Sequence, residues 1–375
     1  MKKYTLLVFL AFSPLFLLSQ DNDRQSKLYF NEAIEAFNAK EYDNALQYYD
    51  EAINLNPSYI KAFYNRGNTQ LQLKNFNAAL SNFEKVITLD GSHAKGHLYK
   101  GYSLMQLKKY DQAISSYNQA LKIDPSLNKA YANRASTYMK LKDYEQALTD
   151  YNLVIKNNPE SYSAFYNRAL CYMKIKKYKE SAEDFGQCIN IKPGKYKLYM
   201  NRGKAYLKSE QYENAITDFS KVLTKDATNK DALYYRGYSK MLTNDFAGAN
   251  DDFASTIVID PEHAPALKNK SICSFSLKKY DEAINDYTAL MKLKGADPSS
   301  IVNRGIAKLK TEDFQGAADD FSHAIEMDKE FAAAYFNRAN ANLKLKKNED
   351  ACSDIRQAAK LGMEEALQHI NSLCN

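Results

Sequence analysis

Tryptophan is absent, and glycine and proline are scarce, with 13 and 8 residues in a chain of 375. So few flexible or helix-breaking residues leave no Gly/Ser/Pro-rich linker in the middle of the chain, and no charge run divides it. Length alone suggests two or three domains, but the missing linkers favour one elongated array. Strict alternation of β-branched residues, the mark of half-buried strands, is also missing, so the fold class reads as all-α. Cysteine is limited to Cys171, Cys188, Cys273, Cys352 and Cys374, an odd number at irregular spacing that forms neither a disulfide framework nor a zinc pattern. Most are expected to be small buried residues, with Cys352 and Cys374 as one pair that export to an oxidising compartment would allow to bridge. The dense basic stripe of a nucleic-acid binder is lacking too, since the formal net charge is only +6.

One long apolar run is present, at the N-terminus: Lys2 and Lys3 precede Tyr4 to Leu18, which carries no charge, and Ser19 and Gln20 follow. That order matches a cleavable secretory signal over residues 1–19, with 20–25 as a short leader, and the run is shorter than the roughly 20 residues that span a bilayer. Periplasmic or secreted localisation follows as an expectation, and the mature chain is expected not to be an integral membrane protein. The alternatives are an uncleaved anchor or a buried first helix, because Leu17 is a poor small residue before the cleavage site. With no cysteine here, lipid attachment through one is excluded.

Beyond the leader, a 34-residue period runs from Ser26 to Glu365 without insertion or deletion. The ten frames are 26–59, 60–93, 94–127, 128–161, 162–195, 196–229, 230–263, 264–297, 298–331 and 332–365. Numbering positions within each frame, position 20 is alanine nine times and Ser181 once, and position 8 is always Ala, Gly or Ser. Small side chains recur there because two helices can approach closely only where facing residues are small. Aromatics recur at position 24 (Tyr49 through Phe321) and position 17 (Tyr42 through Phe314), and proline stands at position 32 in half the frames. Each frame thus reads as a helical hairpin, with helix A at about positions 1–14 and helix B from near position 18. After the last frame, Gly362 is a helix stop, and Met363, Ala366, Leu367, Ile370 and Leu373 predict an amphipathic capping helix over 363–375.

The small pair at 8 and 20, the aromatics at 4, 11, 17 and 24 and the proline at 32 resemble the tetratricopeptide repeat family over about 90% of the chain. Departures are few: His97 at position 4, Asn348 at 17, Ile355 at 24, and Gly91 or Gly295 near the usual proline. The resemblance implies a right-handed superhelical solenoid of ten hairpins plus the capping helix. It further implies a concave groove, lined by helix A, that binds extended peptides or partner helices.

At about 100° per residue, positions 2, 6, 9 and 13 of helix A cluster nearly opposite positions 4, 8 and 11, so the former are expected to face solvent. Position 6 is asparagine in eight frames: Asn31, Asn65, Asn133, Asn167, Asn201, Asn269, Asn303 and Asn337, interrupted by Tyr99 and Tyr235. A row of carboxamides offers a donor and an acceptor at each step and can pair with peptide backbone without reading sequence. The alternative is that these amides pair with neighbouring helix backbone. Lys27, Lys61, Lys95, Lys129 and Lys197 at position 2, with lysines at position 13, flank the row and favour an acidic ligand segment, unless they are simply solvated.

Position 7 is arginine in seven frames, and frames four to ten all carry aspartate at position 23. Arg134 with Asp150, Arg168 with Asp184, Arg202 with Asp218, Arg236 with Asp252, Arg304 with Asp320 and Arg338 with Asp354 are expected to be structural ion pairs that link helix A to helix B. Frames one to three lack that acid. No nucleophile with a base, carboxylate pair, phosphate-cradling loop or metal-ligand set emerges. His93 and His97 are four residues apart without a third ligand. No enzyme activity, cofactor, metal, small-molecule substrate or nucleic-acid partner is therefore expected. Two readings remain: a cell-envelope scaffold binding a peptide or protein in the groove, or a structural, self-associating component of an envelope secretion, motility or assembly complex. RNA recognition by helical repeats is a third class, which the export signal opposes.

Overall fold

The computed structural model describes residues 14–374, with side chains defined over 21–370 and at Cys374. Most of the expected signal segment, residues 1–13, therefore lies outside the described residues, and for 14–20 only a helical backbone is defined. Every regular element among the described residues is an α-helix. Two compact units divide the chain after Lys177. The first holds α1 (Pro14–Asn38), α2 (Tyr42–Leu55), α3 (Ile60–Gln72), α4 (Phe76–Leu89), α5 (Ala94–Gln106), α6 (Tyr110–Ile123), α7 (Asn128–Lys140), α8 (Tyr144–Asn157) and α9 (Tyr162–Lys174). The second holds α10 (Tyr178–Ile191), α11 (Tyr196–Lys208), α12 (Tyr212–Leu223), α13 (Lys230–Leu242), α14 (Phe246–Ile259), α15 (Ala264–Ser276) and α16 (Tyr280–Lys294). It continues through α17 (Pro298–Lys310), α18 (Phe314–Met327), α19 (Ala332–Lys344), α20 (Asn348–Lys360) and α21 (Glu364–Leu373).

Within each unit every helix packs on the next. The ring at position 24 lies over the small residue at position 8 of its own hairpin. A Cβ built on Gly101 would fall 2.7 Å from Cε1 of Tyr117. Alanines at position 20 are fully buried beneath these rings. A second small-residue set, not picked out in the sequence, lies at positions 3 and 10 of helix A. Ala62, Ala130, Ala232, Thr69, Thr137 and Ser239 are all buried. Ala62 joins the core of the preceding hairpin with Tyr49 and Ala52, so these residues set the approach between successive hairpins, as position 8 does within one.

The turn from helix A to helix B closes the same way each time. Position 15 adopts a left-handed conformation, from Lys40 at φ 65° to Lys346 at φ 61°, although no glycine stands there. The next amide then reaches back to a helix A carbonyl, as in Glu41 N–H to Ala36 O at 2.9 Å and Asn75 N–H to Gln70 O at 2.8 Å. The array ends as the sequence suggests at Gly362, whose φ is 92°, where Met363 N–H donates to Ala358 O at 3.1 Å. α21 folds onto α20, with Ala366 buried against Ile355 and Ala358 and with Met363 and Ile370 at the edge of that cluster. Leu367 departs from the expected apolar face and is 55% exposed. Cys352 and Cys374 form a disulfide that ties the end of α21 to α20, while Cys171, Cys188 and Cys273 are buried and not part of a disulfide.

Candidate protein-interaction site

Five arginines of the position-7 row fork onto the position-23 aspartate of their own hairpin. Arg134 donates from Nε and Nη2 to the two Asp150 carboxylate oxygens at 2.8 and 2.6 Å. The same fork joins Arg202 to Asp218 at 2.8 and 2.7 Å, Arg236 to Asp252 at 2.9 and 2.6 Å, Arg304 to Asp320 at 2.9 and 2.6 Å and Arg338 to Asp354 at 2.9 and 2.7 Å. All five aspartates are buried. Lys270 takes the arginine's place opposite Asp286. Hydrogen bonding to Asp218 raises the pKa of Arg202, which holds the guanidinium charged. Arg168 and Asp184 belong to different units; Asp184 is buried, and Arg168 donates to Asn152 at 2.6 Å.

That last bond belongs to a second set of contacts. The remaining guanidinium nitrogen, Nη1, reaches back 16 residues to position 25 of the preceding hairpin. Arg236 meets Ser220, Arg304 meets Thr288 and Arg338 meets Ser322, at 3.3, 3.1 and 3.0 Å. Arg236, Arg304 and Arg338 therefore each clamp two hairpins, whereas Arg202, with Gly186 at that position, forks only onto its own hairpin. The two early frames with a cation at position 7 but no Asp at position 23 are balanced through the same contact, because Arg66 pairs with Asp50 and Lys100 with Glu84. The acid is not missing; it has moved to the neighbour. An acid 16 residues before the cation was the signal available in the sequence.

The asparagine row lies partly withdrawn from solvent. Asn31 is exposed, but Asn65, Asn133, Asn167, Asn201, Asn269, Asn303 and Asn337 are half-buried. The physical reason is angular: position 6 lies only about 40° from position 10, which is buried against the preceding hairpin. Asn65, Asn167 and Asn303 stand beside the position-24 hydroxyls of Tyr49, Tyr151 and Tyr287, and Asn269 beside that of Tyr234. Asn337 instead donates to its own helix at Ala333 O, 2.8 Å away. Burial pushes the Tyr49 hydroxyl up to about 12, with the Asn65 contact opposing it. Tyr117 is an exception whose buried hydroxyl has no hydrogen-bond partner.

Lys27, Lys61, Lys95, Lys129 and Lys197 are all exposed, as are Lys140, Lys174, Lys208, Lys310 and Lys344 at position 13. Lys27 is paired with Asp23 at 2.6 Å. Among the described residues no cluster of His, Cys, Asp or Glu could hold a metal ion. His93 is used as an N-cap, its Nδ1 accepting from Gly96 N–H at 2.9 Å, and His97 Nε2 contacts Gly91 O at 3.2 Å. Both imidazoles thus serve backbone groups.

Models described as TPR repeat match residues 36–74 and 101–142. Models described as tetratricopeptide repeat match 60–93 and 129–161, 162–195 and 196–229, and 302–366. The chain belongs to the tetratricopeptide repeat family. No curated protein matches it significantly. Among solved structures, the C-terminal part of a TPR repeat-containing protein from Cytophaga hutchinsonii is 18% identical, with 64% of this chain and 98% of that one covered and a TM-score of 0.55. A tetratricopeptide repeat protein from Parabacteroides merdae is 18% identical over 67% of this chain and 99% of its own, TM-score 0.47. YrrB, titled a TPR protein with an unusual peptide-binding site, is 20% identical over 50% of this chain and 97% of its own, TM-score 0.47. The tetratricopeptide fold is generally a non-catalytic scaffold for protein interactions. Among the described residues no helix of this array is long and apolar enough to cross a membrane.

Proposed function

We propose that this tetratricopeptide array is an exported scaffold that binds an extended, acidic peptide segment along the position-6 asparagines and their flanking lysines. The observation that carries the reading is the placement of the amides. All but Asn31 lie half-buried, and Asn65, Asn167, Asn269 and Asn303 are held beside tyrosine hydroxyls, while the lysines on the same side of helix A are exposed. Fixed amides give a peptide backbone a prepared row of donors and acceptors with little ordering cost, and the lysines attract an acidic segment without fixing its sequence. Export is supported by the charged start and apolar run of residues 2–18 and by the Cys352–Cys374 disulfide, which suits an oxidising compartment. The test replaces Asn133, Asn167 and Asn201 together by alanine. Affinity capture from the native envelope, followed by mass spectrometry, is expected to lose its specific partner while the circular dichroism spectrum stays that of the native chain. Retention of the same partner by the folded triple variant overturns the reading.

A further inference from the structure

Two cavities in the array repeat the same register. In the first unit, Ile34, Phe37, Tyr49, Asn65 and Asn68 surround a space of about 170 Å³. Seven repeats further along, in the second unit, Ile272, Phe275, Tyr287, Asn303 and Ile306 stand at the same repeat positions around about 330 Å³. Each has an apolar floor from positions 9 and 12 of its leading hairpin and a polar rim from the position-24 hydroxyl and the position-6 amide, to which Asn68 adds a second amide in the first cavity where Ile306 stands in the second. A cavity of roughly 150 Å³ accepts a benzene-sized group, so the first space matches one bulky apolar side chain and the second has room for a larger one. The rim supplies a donor and an acceptor where that residue's peptide groups would lie.

The same register also occurs in a closed form. Where position 6 is tyrosine, position 24 of the preceding hairpin is phenylalanine, and the two rings stack. Tyr99 lies on Phe83 with centroids 5.6 Å apart and planes 23° from parallel, and Tyr235 lies on Phe219 at 5.7 Å and 23°. Lys204 covers the Tyr235 ring at 4.6 Å. Replacing the short amide by a ring therefore puts an aromatic of this chain's own where the Tyr49–Asn65 and Tyr287–Asn303 pairs leave space.

We propose that the Tyr49–Asn65 and Tyr287–Asn303 cavities are side-chain pockets for a peptide partner, each admitting one large aliphatic or aromatic anchor residue. Tyr99 in the first unit and Tyr235 in the second are built-in plugs that close the equivalent slots. The occupant is an extended segment with an apolar residue near acidic ones, because exposed Lys61 stands one helical turn from Asn65 and exposed Lys310 two turns from Asn303. The inference rests on the reading that the asparagine stripe binds peptides, and narrows it to an anchor chemistry at two sites.

The chain itself supplies the variants. Asn65→Tyr with Tyr49→Phe, and Asn303→Tyr with Tyr287→Phe, copy the plugged pairs already present at Tyr99–Phe83 and Tyr235–Phe219. A displayed library of random linear peptides is selected on the full chain, and the enriched peptides are synthesised and titrated. Enriched peptides are expected to share a large apolar residue. Its change to alanine, or plugging the matching pocket, is expected to weaken binding about tenfold or more, with no further loss when the two are combined. Ile34→Ala, which widens the first cavity, is expected to shift preference toward a larger anchor and serves should a plugged variant not fold. Enrichment of peptides whose binding neither plug nor Ile34→Ala alters overturns the pockets while leaving the stripe reading intact. Failure of any peptide to enrich on the wild-type chain overturns both.

Discussion

The guanidinium of Arg202 meets Asp218 through two parallel N–H to oxygen bonds, a geometry that a lysine ammonium cannot reproduce. Asp218 is only 2% exposed, so its charge is tolerable only while the fork is in place. Arg202→Ala is expected to lower unfolding free energy by about 3–5 kcal/mol, the usual cost of stranding a buried charge. Arg202→Lys is expected to cost less, since Lys270 opposite Asp286 already works in one hairpin. Urea titration of both variants checks this, and an Arg202→Ala midpoint equal to wild type removes the arginine–aspartate fork from the account of stability. The pairing itself was legible in the sequence as the co-occurrence of positions 7 and 23. The reach of the third nitrogen of Arg236, Arg304 and Arg338 to the preceding hairpin was not, because it depends on how successive hairpins are stacked.

Among the elements, α21 is the one that the repeat pattern does not require, and its work is to cover the last hairpin. A terminal unit of a stacked array exposes an apolar face unless something closes it. Here Ala366, Met363 and Ile370 lie over Ile355 and Ala358, and the Cys352–Cys374 bridge holds the end in place. Deleting Met363 to Asn375 is expected to lower the thermal midpoint and promote aggregation. Reducing the disulfide in the intact chain is expected to lower stability by about 3 kcal/mol, the chain-entropy value for a loop of this length. Scanning calorimetry with and without a dithiol reductant measures both, and unchanged curves would show that repeat ten needs no lid. The helix stop at Gly362 and the amphipathic spacing announced α21, but the sequence overstated its apolar face by including Leu367, because spacing alone does not tell how wide a stripe the neighbour covers.

At the scale of the whole molecule, nine of the ten hairpins bury an aromatic at position 24, and several buried or half-buried rings, there and elsewhere, are tyrosines whose ionisation burial suppresses. Tyr49 at position 24 and Tyr64 on helix A are pushed up to about 12 from the ordinary 10.0, and the position-24 residues Tyr117 and Tyr151 further still, all by burial first. The buried thiols act alike: burial pushes Cys171 and Cys188 up to about 12 and Cys273 up to about 11, from an ordinary 9.0. The sign follows from proton counting. Above these ordinary values the unfolded chain has released protons that the folded chain still holds, so stability must fall as pH rises. Stability is expected to be fully present below about pH 9, to decline through the thiol range and to drop steeply between about pH 10 and 12. Urea midpoints at pH 8, 10 and 11, read beside phenolate absorbance, test this, and a midpoint constant across that range contradicts the burial of these groups.

The sequence by itself determined the unit and its repetition: the gapless period, the close approach at positions 8 and 20, the aromatic knobs and the family. It could do so because those features arise within one hairpin, between residues that are neighbours in the chain and subject to the same constraint each time. Only the tertiary structure decided what lies between hairpins. It placed the acids of the early frames at Asp50 and Glu84, gave small residues at positions 3 and 10 their packing role, and drew the asparagines partly inward beside Tyr49, Tyr151 and Tyr287. It also distinguished open pockets at Asn65 and Asn303 from slots filled by Tyr99 and Tyr235. These contacts depend on the offset of one hairpin against the next, a quantity that side-chain periodicity within a hairpin does not encode.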